Sequence, residues 1–265
     1  MRTIKLTGIY IYPIKSAAGF SWETAEVTKQ GFQYDRRWML VDETGKFMTQ
    51  RQFPSMALIS VQVKGDYLIV NAPDRESLSI PIHLDILDRV SVQVWRDVCE
   101  AIPLGKEVDL WFTDFLGIAC QLVYMPESSF RPVNPNYATN NEQVSFADGY
   151  PFLLISEASL QDLNSRLDES IPMNRFRPNL VVSGCEAFAE DSWGSIRIGS
   201  IPFRVVKPCE RCVVTTVDQA TGIRGKEPLS TLTKYRNREG KILFGQNLIQ
   251  EQLGMLRVGD LVEVF

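Results

Sequence analysis

A mainly β fold with a few helices, in one large domain or two of ordinary size, is what these 265 residues predict. Three observations carry that expectation. Short apolar runs alternate with polar positions and are separated by Gly, Asn and Asp turns. Helical spacing of apolar residues is firm in only two stretches. One Pro- and Asn-rich segment interrupts the chain midway.

In chain order, Ile4, Leu6 and Ile9–Tyr12 open a strand. Trp38–Val41, the turn Asp42-Glu-Thr-Gly45 and Lys46–Thr49 predict a hairpin, and Ala57–Val63 with Tyr67–Val70 a second one across Lys64-Gly-Asp66. Val90–Val94 alternates as a further strand. Turns at this spacing favour a sandwich or barrel. Between Lys106 and Gly117, Val108, Trp111, Phe112, Phe115 and Leu116 share one helical face. From Ser156 to Leu167, an N-capping serine, an acidic first turn and Leu160, Leu163 and Leu167 predict a second helix. A shorter one is expected over Pro228–Tyr235, and Leu256–Phe265 reads as a closing strand pair. Pro126–Asn141 is an extended polar connector, and the module boundary falls near residue 120.

The net charge of −4 lacks the basic surplus that nucleic acid or an anionic membrane needs as main partner. No apolar stretch approaches the roughly 20 residues of a membrane span, and the opening residues read as a strand and not as a signal peptide. Five scattered cysteines are not a secreted disulfide framework, so a reducing, cytoplasmic setting is expected.

Cys209-Glu-Arg-Cys212 is the one cysteine pair. Zinc would need two further ligands; His83 is the only histidine, and Cys185 adds at most a third. A thioredoxin-like site would need a helix after the pair, whereas the β-branched run Val213–Val217 predicts a strand. Two readings stay open: small core hydrophobes, or a thiolate at a sheet edge made reactive by Lys207 and Arg211. The lone histidine also removes any triad with a choice of base.

Basic residues recur in turn-like places: Lys15-Ser16 between Pro13 and Gly19, Arg36-Arg37 before a strand, Arg51, and Arg175 and Arg177 before Leu180–Val182. Each alone reads as surface charge. Together they make a shared site for an anion such as a phosphate plausible.

Tyr12-Pro-Ile-Lys-Ser16, Asp35-Arg-Arg-Trp38, Ser156-Glu-Ala-Ser-Leu160, Phe176-Arg-Pro-Asn179, Glu190-Asp-Ser-Trp193, Cys209-Glu-Arg-Cys212 with Thr215-Thr-Val-Asp218, and Phe244-Gly-Gln246 follow one another along the chain. In that order they resemble the MOSC proteins, specifically the branch containing the mitochondrial amidoxime reducing component and its bacterial relatives. The resemblance implies two linked β-barrel-like modules, an N-terminal MOSC β-barrel over residues 1–119 and a MOSC domain over 120–265. It implies a molybdenum–molybdopterin cofactor without an attached nucleotide; pyridoxal phosphate is not expected. Cys212 would be the protein's ligand to molybdenum and the catalytic residue, with Cys209 a non-ligating neighbour. Lys15, Ser16 and Arg36 would hold the cofactor's phosphate and pterin, and Asp148, Gly149, Tyr150, Arg177, Asn179, Glu210, Arg211 and Asn247 would make further contacts. Two departures stand out: Gly149-Tyr150 replaces hydroxyl side chains common in the family, and Glu210 replaces a small polar residue.

The implied reaction is a two-electron reduction of the N–O bond in amidoximes, hydroxylamines or N-hydroxylated bases, with water released. The alternative is a non-catalytic cofactor carrier or sulfur-transfer module. No cysteine follows Cys212, as the iron–sulfur domain of some bacterial relatives would require. Electrons are therefore expected from a separate protein of ferredoxin, cytochrome b5 or flavoprotein type.

Overall fold

The computed structural model describes residues 3–83 and 86–265. The first half runs β1 (Lys5–Ile11), β2 (Phe20–Trp22), β3 (Thr24–Thr28), β4 (Gly31–Phe32), β5 (Trp38–Val41), β6 (Ser60–Lys64), β7 (Tyr67–Asn71), β8 (Leu78–Pro81), β9 (Val90–Val94), β10 (Asp97–Pro103), α1 (Lys106–Leu116) and β11 (Gln121–Tyr124). The second runs β12 (Phe152–Ser156), α2 (Glu157–Asn164), β13 (Leu180–Ser183), β14 (Ser195–Ile198), β15 (Ile201–Glu210), α3 (Leu229–Tyr235), β16 (Asn237–Arg238), β17 (Lys241–Gln250), β18 (Gly254–Arg257) and β19 (Val262–Val264). The mainly β class with a few helices is as the sequence predicts. No helix among the described residues is long and apolar enough to cross a membrane.

The largest sheet orders its strands β19-β14-β15-β17-β12-β13-β1-β2, with β16 hung on β17. Every pair is antiparallel except β12 with β13. β1 and β2 thus complete a sheet whose other strands come from the second half of the chain. One face buries Leu6, Ile9, Phe152, Leu154, Leu180, Phe203 and Leu248. β5-β11-β10-β9 and β6-β7-β8 form two further sheets, and β18-β3-β4 a third. Trp38, Leu40, Leu68, Ile80, Phe112 and Leu122 make a second core, onto which α1 lays Trp111 and Phe112. Gly117 stops α1 in the left-handed region, its N–H on Thr113 O. Ser156 caps α2 by accepting from Ser159 N at 3.1 Å.

Gly245 shows why one strand needs glycine. It has φ +82°, and a Cβ there would meet Leu154 O at 2.9 Å. The close approach lets β17 lie on β12 while Phe244 stacks on Phe176, centroids 4.3 Å apart.

Three sequence expectations are corrected. Lys46–Thr49 is not a hairpin strand: it makes single bridges to Val41 and Gln93, and β5 pairs with β11 instead. Residues 47–50 are buried consecutively, which an alternating strand with a wet face cannot do. β18 and β19 do not pair with each other; they join β3 and β14, because the turn between them docks on β1 through Gly259 N to Leu6 O. Val213–Thr216 is a 3-10 turn and not a strand. Thr215 and Thr216 hydroxyls donate back to Cys212 O and Val213 O at 3.0 and 2.8 Å, so local hydroxyl bonding overrides β-branched preference. The cysteine pair therefore follows the end of β15 and enters a tight turn.

Candidate functional site

Four clusters of residues dominate the lining of one cavity of about 620 Å³. The first is the loop after β1. Lys15 N donates to Trp38 O at 2.8 Å, which fixes the loop on β5, and Ser16 sits at φ +67°. Lys15 Nζ reaches Phe146 O at 2.7 Å and Asp148 Oδ1 at 2.6 Å. Burial pushes the Lys15 ammonium down to about 8 despite the Asp148 carboxylate that favours its charge.

The second segment supplies Arg36, at φ +50°. Its guanidinium donates to Asp35 Oδ2 at 2.5 Å, Asn179 Oδ1 at 3.0 Å and Arg177 O at 3.2 Å. Arg177, at φ +55°, donates to Ala17 O at 2.6 Å. Both guanidinium groups stack on the buried Tyr12 ring, at 4.4 and 4.3 Å. Burial, then Arg36, lowers Arg177 to about 10, and burial raises the Tyr12 phenol to about 12. Asn179 ties the cluster to the sheet, accepting from Leu153 N at 3.3 Å and donating to Tyr10 O at 3.2 Å.

The third segment is Ala147–Tyr150. Asp148 carries a 63 % exposed side chain that opens onto the cavity. Its limited burial would raise the acid, but Lys15 and Arg51, with the Trp95 indole N–H at 3.2 Å, hold it well below the usual carboxylate range. Beneath it, Arg131 is 2 % exposed and gathers the carbonyls of Ser145, Ala147 and Asp148 while pairing with Asp97 at 2.8 Å.

The fourth segment is the end of β15. Two register shifts interrupt its pairing with β17 between Val205 and Glu210, and Pro208 falls within the second. Lys207, Cys209, Glu210, Arg211 and Cys212 all line the cavity there. Arg211 donates to Cys209 Sγ at 2.9 Å and Phe176 O at 2.5 Å. Arg51 Nη2 meets Cys212 Sγ at 3.3 Å. Glu210 is held by Lys207 and Lys241 at 3.0 and 3.2 Å, which lowers its pKa. Asn247 donates to Lys207 O at 3.1 Å.

Matching family models then decide the relationship. Residues 3–119 match the MOSC N-terminal beta barrel domain, and residues 141–263 match the MOSC domain. Mitochondrial amidoxime-reducing component 1 of Mus musculus is 39% identical, over 95% of this chain and 79% of the relative. The protein of that name from Homo sapiens is 37% identical, over 95% of this chain and 80% of the relative. The chain belongs to the amidoxime-reducing component family of MOSC proteins. Among solved structures, the YUAD protein from Bacillus subtilis spans 99% of this chain and 96% of its own at 10% identity and a TM-score of 0.43, a likeness too low to add to the assignment.

All twelve positions that the family resemblance singled out line this one cavity, although they lie from Lys15 to Asn247 in the chain. Gly149 offers only backbone, and open space surrounds the place of its missing Cβ. Tyr150 packs edge-on against Tyr137 at 5.7 Å. Other basic candidates divide. Arg175 lines the cavity and pairs with Asp218 at 2.8 Å, whereas Arg37 turns away to Glu127 and Met125 O. Asp191 and Trp193 are structural: Asp191 accepts from Arg236 and Gln246, and Trp193 is buried in the main core. His83 is exposed beside Asp66.

Two residues that the sequence did not mark belong to the site. Trp95 lines the cavity from the β9–β10 turn, and Arg131 fastens the Asp148 loop from the connector.

The donor set distinguishes what the cavity can hold. Among the described residues no group of three or more His, Cys, Asp or Glu could hold a bare metal ion. Seven cations (Lys15, Arg36, Arg51, Arg175, Arg177, Lys207 and Arg211) line it against two carboxylates. A large anionic ligand that brings its own metal ligands and takes one soft sulfur from the protein fits that chemistry. The volume lies within the 300–1,000 Å³ or so typical of cofactor sites.

Proposed function

We propose that the protein is a molybdenum-cofactor-dependent reductase of N-hydroxylated compounds. The observation that carries the reading is the pairing of a cationic, cofactor-sized cavity with a cysteine sulfur on its wall, Cys212 Sγ, held by Arg51. Homologues named as amidoxime-reducing components support amidoximes as substrates, and the proposed class extends to hydroxylamines and N-hydroxylated bases. Arg36, Arg177, Lys15 and Ser16 would hold the phosphate and pterin of molybdopterin without an attached nucleotide. Cys212 would supply the soft protein ligand. When bound, the molybdenum centre supplies the two-electron chemistry that N–O cleavage requires.

The chain's own residues then have distinct tasks. The Arg36–Tyr12–Arg177 stack keeps two cations at the wall, with Asp35 anchoring Arg36 from behind. Asp148, ionised at neutral pH, orients Lys15 Nζ and the Trp95 indole and is no proton donor there. Arg51 holds Cys212 Sγ toward the cavity. Electrons would come from a separate donor protein of ferredoxin, cytochrome b5 or flavoprotein type.

The test is reduction of benzamidoxime by the molybdenum-loaded protein with a chemical electron donor. Turnover lost in Cys212→Ala at unchanged fold supports the reading. Molybdenum bound without turnover would point instead to a cofactor carrier.

A further inference from the structure

Trp95 combines an exposed turn position with a place on the cavity wall. It occupies the two-residue turn between Val94 and Asp97, which pair across β9 and β10. Its φ is +58°, a left-handed value that such a side chain adopts at a cost. The ring is 44 % exposed yet lines the cavity. Of the nine non-glycine residues with positive φ in the described chain, four line the cavity: Ser16, Arg36, Trp95 and Arg177.

The ring is also fastened. Its indole N–H donates to Asp148 at 3.2 Å, Arg51 lies over it at 4.7 Å and Phe47 sits 5.0 Å away. Arg131 clamps the turn to the Asp148 loop through Asp97. Arg51 donates to Cys212 Sγ at 3.3 Å as well, so one guanidinium spans the interval between the ring and the sulfur. The part of the ring that Arg51 and Phe47 leave exposed thus lies within the length of a molecule reacting beside Cys212. Arg36, Arg177 and Asn179, the polar cluster suited to phosphate and pterin, bond to one another and make no bond to Trp95.

We infer that Trp95 is a specificity residue: the stacking surface for the planar, uncharged body of aryl N-hydroxylated substrates. This rests on the reductase reading. It deepens that reading by naming the class favoured, flat aromatic amidoximes and N-hydroxylated bases over small aliphatic hydroxylamines. Stacking on a held indole requires no hydrogen bond and accepts any flat face.

The experiment compares kcat/KM for benzamidoxime with that for hydroxylamine in the loaded protein and in Trp95→Gly and Trp95→Phe. Glycine accepts the turn's φ, so it removes the ring with least backbone cost. The benzamidoxime-to-hydroxylamine ratio should fall about tenfold in Trp95→Gly, mainly through KM, and Trp95→Phe should recover most of it. Molybdenum and pterin content should equal wild type in both. An unchanged ratio overturns the inference, and so does loss of pterin, which would make the ring part of the cofactor cradle. Wild-type protein that carries molybdenum and reduces neither compound sinks the reductase reading, and this inference with it.

Discussion

Arg51 Nη2 lies 3.3 Å from Cys212 Sγ, a contact between residues 161 positions apart. Arg51 is itself held from behind, since Arg224 donates to the carbonyls of Gln50 and Arg51 at 3.1 and 2.6 Å. The relationship joins the two halves of the chain at the one atom on which the account depends.

Arg51→Gln should therefore lower both molybdenum retention and turnover, by about 10–100-fold, as removal of a residue orienting a metal ligand does. Arg51→Lys keeps the charge but not the fork, and should fall between. Metal content per chain and steady-state rates measure both, and a silent Arg51→Gln would mean that the contact positions nothing.

Lys15 sets a pH dependence. In the cofactor-free protein its ammonium titrates near 8 instead of 10.5, because burial outweighs Asp148. Above about pH 8 the cavity loses a positive charge, so affinity for sulfate, whose own charge is constant there, should drop between pH 7 and 9. Below about pH 7 Lys15 stays charged and sulfate binding should be flat, and Lys15→Arg should abolish the drop. On stability the sign is opposite. Between about 8 and 10.5 the unfolded chain keeps the proton that the native state has released, so this group makes the cofactor-free protein more stable as pH rises. Asp148, depressed in the fold, contributes stability above its ordinary value of 3.8 that is lost as pH falls below it. Calorimetric titration and urea midpoints across pH separate the two effects.

Arg131→Met should cost about 3 kcal/mol or more in urea denaturation, because it strands the carbonyls of Ser145, Ala147 and Asp148 and the Asp97 carboxylate. It should also reduce bound molybdenum, since the Asp148 loop loses its fastening. A variant as stable as wild type would show that water satisfies those groups.

The parts of this fold legible in the sequence are those set by neighbours in the chain. The α1 stripe with Trp111 and Phe112, the Ser156 cap and the β6–β7 turn all follow from local periodicity or turn chemistry. β propensity misleads at Val213–Thr216 because the deciding bonds are threonine hydroxyls turned back on the main chain. For the site, Lys15, Arg36, Arg177 and Cys212 stood in motif order. Trp95 and Arg131 did not, since their meaning lies in Asp148, 53 and 17 residues away, and no spacing rule reports such a meeting.

Cys209 and Cys212 both line the cavity, each with an arginine on its sulfur, and only Cys212 is assigned to the metal. The most direct test is the number of sulfur neighbours around molybdenum, read by X-ray absorption in wild type, Cys212→Ser and Cys209→Ser. One sulfur fewer is expected in Cys212→Ser and no change in Cys209→Ser. Equal counts in wild type and Cys212→Ser, a loss in Cys209→Ser, or wild-type protein without molybdenum from molybdate-replete cells would contradict that assignment.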